Sequence, residues 1–259
     1  MVYQNLLVGR DGAVWRIKLN RPEVRNALNA VLLQELCQVL EEANADSQLR
    51  VIILEGAGGH FCAGRDLNEM LAGDSVLELR SSMDMVARAL ETMARTGPLI
   101  VAKVRGYALA GGFGLVAAAD LAVASEDAVF GLPEIHRGLF PMTVMAAIAR
   151  HLSPKQAVEL MFLGGRLGAA EAYRLGLINR VVPSSELDEA VDGLAREIAA
   201  KSPAVLRLGK EAFYTMSGME YFQSLRYLRE MITLTALTAD AAEGVRAFLE
   251  RREPQWKGC

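Results

Sequence analysis

Three cysteines in 259 residues, Cys37, Cys62 and Cys259, form neither a CxxC pair nor the regular spacing of a disulfide scaffold. An odd, widely spaced set of this kind points to a reducing, cytoplasmic compartment and speaks against a structural zinc centre, so no metal site is expected. Long hydrophobic runs are also missing. No stretch approaches the roughly 20 uninterrupted apolar residues of a membrane span, and the opening MVYQNLLVGRDG lacks the basic-then-apolar order of a leader, so a soluble chain is expected. Nor is there an excess of positive charge. With 28 Lys and Arg against 31 Asp and Glu, the net charge of −3 offers no basic face to a nucleic-acid backbone; a local cluster of Lys and Arg can still meet a small phosphorylated ligand. Low-complexity segments and fixed-period repeats are absent, which argues against solenoids and propellers.

What is present is an alternation of strand and helix signals, in a chain long enough to bury a sizeable core. Trp15, Ile17 and Leu19 alternate with Val14, Arg16 and Lys18, which predicts a half-buried strand over 13–19. Leu33, Leu36, Leu40 and Ala43 then recur at helical spacing over 30–44, behind Asn29 as N-cap. Compact apolar runs at 51–54, 99–104 and 121–124, with Val129 and Phe130, read as buried strands. A helix over 75–96 is ended by Gly97 and Pro98. Such alternation marks βαβ units around a mainly parallel sheet. From Met142 the texture is helical, with a strand signal only at 178–182 and an apolar stripe of Phe222, Leu225, Leu228 and Ile232. The expected organisation is an α/β core over 1–200 and a C-terminal helical region over 201–259 that caps its own core or packs on another subunit.

Chemistry concentrates in residues 104–141, where a buried strand enters a turn at Gly111 and Gly112 and then an Ala-rich helix. Glycines there let the backbone approach a ligand and leave free N–H groups at a helix start, suiting a developing oxyanion; a plain tight turn is the structural alternative. A second glycine site, HFCAGRDLNEM at 60–70, offers donors in the same way after the strand at 51–54. Two such sites at neighbouring strand ends can converge on one carbonyl oxygen, an oxyanion hole worth roughly 3 kcal/mol or more per donor. Gly112, Gly114 and Ala117 also spell GxGxxA, with Glu134 downstream as a ribose-binding acid would be, the pattern of a dinucleotide-dependent oxidoreductase. Against this, Pro133 and the short run before it leave little room for a crossover helix and second strand. The surroundings of Glu134, GLPEIHRGLF, are apolar enough to raise a carboxylate pKa if it is buried. His136 would share a face with Glu134 on a strand. Asp120, Glu126 and Asp127 read as cap or turn residues, Asp66 as orienting its loop, and Cys62 as a small residue without thiolate activation.

NRPEVRNALN at 20–29, HFCAGRDL at 60–67, the 104–141 segment and GVRAFLERREPQWKG at 244–258 resemble, in order and over essentially the whole chain, the crotonase (enoyl-CoA hydratase/isomerase) superfamily. The resemblance implies an α/β fold, a crotonase-like ββα spiral core with a C-terminal helical oligomerisation region, assembled as a homotrimer or homohexamer. It implies an acyl-CoA thioester as substrate and no cofactor, since CoA is part of that substrate. By the same resemblance the backbone N–H groups of Arg65 and Gly111 are the oxyanion donors and Glu134 is the acid/base. Arg25, Ala63, Arg65, Asp66, Leu67 and Asn68 would lie along the CoA nucleotide, and Lys210 and Phe213 would reach a CoA bound mainly by another subunit. One departure narrows the chemistry. Hydratases of the family carry a glutamate in the helix after the Gly-Gly turn and another further on; here the first position is Gly114 and the second Glu134. One carboxylate beside an oxyanion hole suffices to shuttle a proton between carbons, so the resemblance favours double-bond isomerisation. A hydratase or other crotonase-type lyase or hydrolase with a non-standard second group stays open, as does a non-catalytic CoA-ester-binding protein.

Overall fold

Two strands open the chain: Leu6–Asp11 (β1) pairs antiparallel with Val14–Leu19 (β2). In β2 the predicted alternation is realised, with Trp15, Ile17 and Leu19 buried. β1 buries only Leu6, so its sequence carries no period-two signal to detect. The structure, a computed structural model, describes residues 3–71 and 75–259. Ala30–Ala45 (α1) follows, capped by Asn29, whose side-chain oxygen accepts from the Leu32 N–H at 2.9 Å. Next come Val51–Gly56 (β3), Leu67–Leu71 (α2), Val76–Arg95 (α3), Leu99–Val104 (β4), Tyr107–Leu109 (β5), Gly111–Ala118 (α4), Leu121–Ser125 (β6) and Val129–Gly131 (β7). The second half holds Met142–Ile148 (α5), Pro154–Leu163 (α6), Arg166–Gly168 (β8), Ala169–Arg174 (α7), Arg180–Val182 (β9), Leu187–Ala199 (α8), Pro203–Met216 (α9), Tyr221–Ala236 (α10) and Ala239–Glu250 (α11).

The main sheet has the order β1-β2-β3-β4-β6-β9, and every pair in it except β1 with β2 is parallel. Its central strands β3, β4 and β6 are buried on both faces. Ile52 and Leu54 of β3 point into the larger core with α1, α3 and α4, while Val51 and Ile53 pack with Val101 and Val123 against Leu187, Val191 and Ile198 of α8. Apolar side chains are needed on both sides, so these strands read as continuous runs rather than alternations.

The sequence pattern did not separate a second sheet of β5, β7 and β8 from the first. Three-residue strands carry too little periodicity to be assigned to one sheet or another. This small sheet places the site. β5 and β7 run parallel with Leu109 opposite Gly131, and Cys62 forms a parallel bridge with Ala108. The segments that end at residues 65, 111 and 134 are thereby brought side by side.

Candidate active site

The loop that carries NRPEVRNALN is fixed by Asn26. Its backbone is left-handed at φ 56, which Asn tolerates because its short polar side chain bonds locally. The buried amide donates to the carbonyls of Ala57 at 2.9 Å and His60 at 2.7 Å, and its oxygen accepts from the Arg21 N–H at 2.9 Å. Leu28 then grips the next loop: its N–H donates to the Gly64 carbonyl at 2.7 Å and its carbonyl accepts from the Asp66 N–H at 3.0 Å. Successive peptide groups of an extended chain face opposite sides, so this grip turns the Arg65 N–H the other way.

On its far side the same loop is bonded to β5 through Cys62, whose N–H donates to the Tyr107 carbonyl and whose carbonyl accepts from the Leu109 N–H, both at 2.9 Å. Gly64, at φ 101, is where the two donor segments touch; a Cβ there would stand 2.7 Å from the Ala110 Cβ and 3.6 Å from the Gly111 nitrogen. A Cβ on Gly111 would stand 3.8 Å from the Arg65 nitrogen. The two amides therefore open on one small space, and among the described residues neither donates to an acceptor in the chain. Gly111 is the first residue of α4, whose leading N–H groups have no intrahelical partner. Ala110 before it is held at φ 50, ψ −120, a conformation ordinarily left to glycine.

Glu134 lies on a 3-10 turn, Pro133–Arg137, closed by Gly138 at φ 69. It lines a cavity of about 600 Å³ together with Arg65 and Gly111, and among the described residues it is the only carboxylate in the lining. Its Oε2 is buried without a hydrogen-bond partner. Burial pushes its carboxyl above the usual carboxylate range, against smaller lowering effects from a backbone hydrogen bond and from Arg137. The apolar wall is supplied by Leu79, Met83 and Val86 of α3 and by Leu139, Phe140 and Val144. Gly114 is buried against α5: a Cβ on it would stand 2.3 Å from Val144 Cγ1 and 2.7 Å from Val144 Cβ. The place of a second carboxylate is thus filled by a valine.

The expected site residues divide into several groups. Ala63, Arg65 and Leu67 line the cavity, as does Arg25, which is exposed with its guanidinium 5.6 Å from the Tyr107 ring centre. Asp66 and Asn68 do not line it; the Asp66 carboxylate accepts from Arg21 at 3.0 Å and from the Asn68 N–H at 3.2 Å. The Arg65 guanidinium turns onto α3, donating to the Ser82 carbonyl at 2.7 Å and to its hydroxyl, so its backbone faces the cavity while its charge is tied to the wall. Lys210 requires a correction. Its ammonium is not free for a neighbour's CoA: it is buried, bonded to Asp120 at 2.7 Å and to the Pro98 carbonyl at 3.1 Å. Asp120 is correspondingly no helix cap, since it also accepts from the Tyr214 hydroxyl at 3.0 Å and the Ile100 N–H at 2.7 Å. Phe213 is exposed on α9.

His136 also departs from expectation. The segment is a 3-10 turn and not a strand, and His136 Nε2 meets the Gly164 carbonyl at 3.2 Å. The Cys62 thiol is wholly buried and pushed up to about 12, far from a reactive thiolate. The dinucleotide pattern fails because Glu134 ends no crossover strand and Gly112 is pressed on Cys62, where a Cβ would lie 2.4 Å from the Cys62 carbonyl oxygen. Sequence reasoning missed Asn26, Tyr107 and Val144. Asn26 had a usable signal, being an asparagine amid a loop motif; Val144 had none, since its role is set only by what it packs against.

The comparisons with known proteins extend over nearly the full length of the chain. The family model for enoyl-CoA hydratase/isomerase matches residues 9–259. The 2,3-dehydroadipyl-CoA hydratase of Escherichia coli is 36% identical over 254 residues, covering 98% of each chain. The carnitinyl-CoA dehydratase of Escherichia coli is 35% identical over 261 residues, covering 98% of this chain and 99% of its own. In three dimensions the enoyl-CoA hydratase of Mycobacterium smegmatis superposes with a TM-score of 0.95 at 34% identity, over 98% of this chain and 99% of that one. Paired free amides, one half-buried carboxylate on a shared cavity and this full-length match lead to one conclusion: the chain belongs to the enoyl-CoA hydratase/isomerase family of acyl-CoA-processing enzymes, with the crotonase fold.

Proposed function

We propose that this enzyme isomerises the double bond of an enoyl-CoA, with Glu134 as the sole proton shuttle. The observation that carries this is that, among the described residues, Glu134 is the only carboxylate on the cavity wall while Val144 packs where a second would project from Gly114. The thioester oxygen is received by the N–H groups of Arg65 and Gly111. Ionised Glu134 removes a proton from C2 of a 3-enoyl thioester, the electron pair moves into a dienolate whose oxygen the two amides hold, and the same carboxyl returns the proton to C4. The double bond ends between C2 and C3, with no atom gained or lost. A carboxyl that burial makes more basic is suited to hold the proton between the two steps. CoA enters as part of the substrate, with Arg25, Ala63 and Leu67 along it. Exposed Phe213 remains available to a neighbouring subunit's CoA in a trimer or hexamer.

The relatives' names favour a second reading, hydration, and one assay decides between them. A 3-enoyl-CoA incubated in deuterium oxide is expected to give the 2-enoyl isomer, with deuterium incorporated and no water added. If a 2-enoyl-CoA instead gains one water as fast as the 3-enoyl ester isomerises, the enzyme is a hydratase whose second group lies elsewhere.

A further inference from the structure

Four arginines line the cavity, Arg25, Arg65, Arg137 and Arg166, against one carboxylate among the described residues, that of Glu134. Two have evident roles. Arg65 is bonded to Ser82. Arg25 is joined to the nucleotide side of the site, its carbonyl accepting from the Ala63 N–H at 3.0 Å. Arg137 and Arg166 are different. Both are exposed, neither forms an ion pair with an acid among the described residues, and the one hydrogen bond of the Arg137 side chain goes to the Pro133 carbonyl at 3.2 Å.

The fold sets these two arginines around the base. Arg166 of β8 stands opposite Gly131 of β7, close enough that a Cβ on Gly131 would lie 3.2 Å from Arg166 Cγ. The chain then runs directly from β7 into the turn that carries Glu134 and ends at Arg137. Glu134 marks the reacting carbons, so charges grouped around its turn meet the acyl part of the ester, whereas the CoA part runs toward Arg25 and Ala63. Unneutralised cations beside a general base also weaken it, because they lower the proton affinity of its carboxylate; an anion on the substrate removes that conflict.

We propose that Arg137 and Arg166 bind a carboxylate carried by the acyl chain, so that the preferred substrates are CoA thioesters of dicarboxylic acyl groups. The fork of donors on a guanidinium matches a carboxylate, and the apolar wall from α3 and Phe140 accommodates the carbons between the two ends. This inference rests on the acyl-CoA isomerase reading.

The test compares two 3-enoyl-CoA esters of equal chain length, one ending in a carboxylate and one in a methyl group. The carboxylated ester is expected to have a kcat/KM about tenfold or more above its partner, chiefly through KM, falling with added salt. Arg166→Gln is expected to erase most of that preference, Arg166→Lys to keep part of it, and Arg137→Gln to act in the same direction. Equal kcat/KM for the two esters would overturn the proposal while leaving the isomerase reading intact. So would an Arg166→Gln variant that weakens both esters and free CoA alike, since these arginines would then hold CoA phosphates. If neither ester binds or turns over, the reading beneath the proposal fails, and the proposal with it.

Discussion

Glu134 is half-buried, and the folded chain keeps its Oε2 from water without supplying a donor to it among the described residues. Its proton is bound more tightly in the folded state than in the unfolded one. The stabilising contribution is therefore complete below the unfolded-state pKa and is lost as pH rises through the raised folded-state value. Glu134→Gln should accordingly melt higher than the parent at neutral pH, with the difference vanishing in acid, as thermal melts across pH will show. Isomerase turnover should fall by roughly 10²–10⁴-fold in the same variant, with CoA-ester affinity kept. In the parent, kcat should rise with pH along a limb above the ordinary carboxylate range. Near-parental turnover by Glu134→Gln would place the base elsewhere. Backbone strain is concentrated at the same place: Ala110 holds a conformation that costs about 1–3 kcal/mol for a residue with a side chain, and it directly precedes the donor Gly111.

Helix α4 is buried from Gly111 to Ala117 and packs on α5, so what it projects into the site depends on both helices. Gly114→Glu alone should overpack against Val144 and destabilise the enzyme by about 1–3 kcal/mol or more without creating hydration. Pairing it with Val144→Gly removes the clashing atoms and should introduce measurable water addition to a 2-enoyl-CoA, detected by product mass. Hydration by the single variant at the level of the pair would show that Val144 does not guard this position. A neighbouring element interaction explains why Lys210 is no CoA ligand. Its ammonium on α9 joins the Pro98 carbonyl to Asp120, and Asp120 in turn holds the Tyr214 hydroxyl and the Ile100 N–H of β4. A buried pair so fully bonded anchors a helix to a sheet and leaves no charge for a ligand.

Across the described residues, many of the large exposed apolar side chains lie on the C-terminal helices. Phe222, Leu225, Ile232 and Leu234 of α10 and Val245, Phe248 and Leu249 of α11 stand out of the surface, Phe248 at 82% exposure. A patch of this kind is covered when it meets another apolar surface. Multi-angle light scattering at micromolar concentration is expected to give the mass of a trimer or hexamer, and Phe222→Glu with Phe248→Glu to shift it toward the monomer. A parent protein that runs as a monomer would refute the assembly and remove Phe213 from any neighbour's site.

Periodicity and punctuation in the sequence determined most of the elements of the main sheet, the long helices and their caps, because burial on one or two faces leaves a local pattern of apolar residues. Motif order likewise marked Arg65, Gly111 and Glu134 as a set. What the sequence left open was decided by contacts between residues far apart in the chain. The placement of β5, β7 and β8 in a second sheet depends on pairings across strands of three residues, too short to carry a period. Whether Lys210 was a ligand or a latch depended on Asp120, ninety positions away. Whether Gly114 left room for another group depended on Val144 in the next helix. Local patterns record how much of each residue is buried; which atoms it is buried against is fixed only when the whole chain has packed.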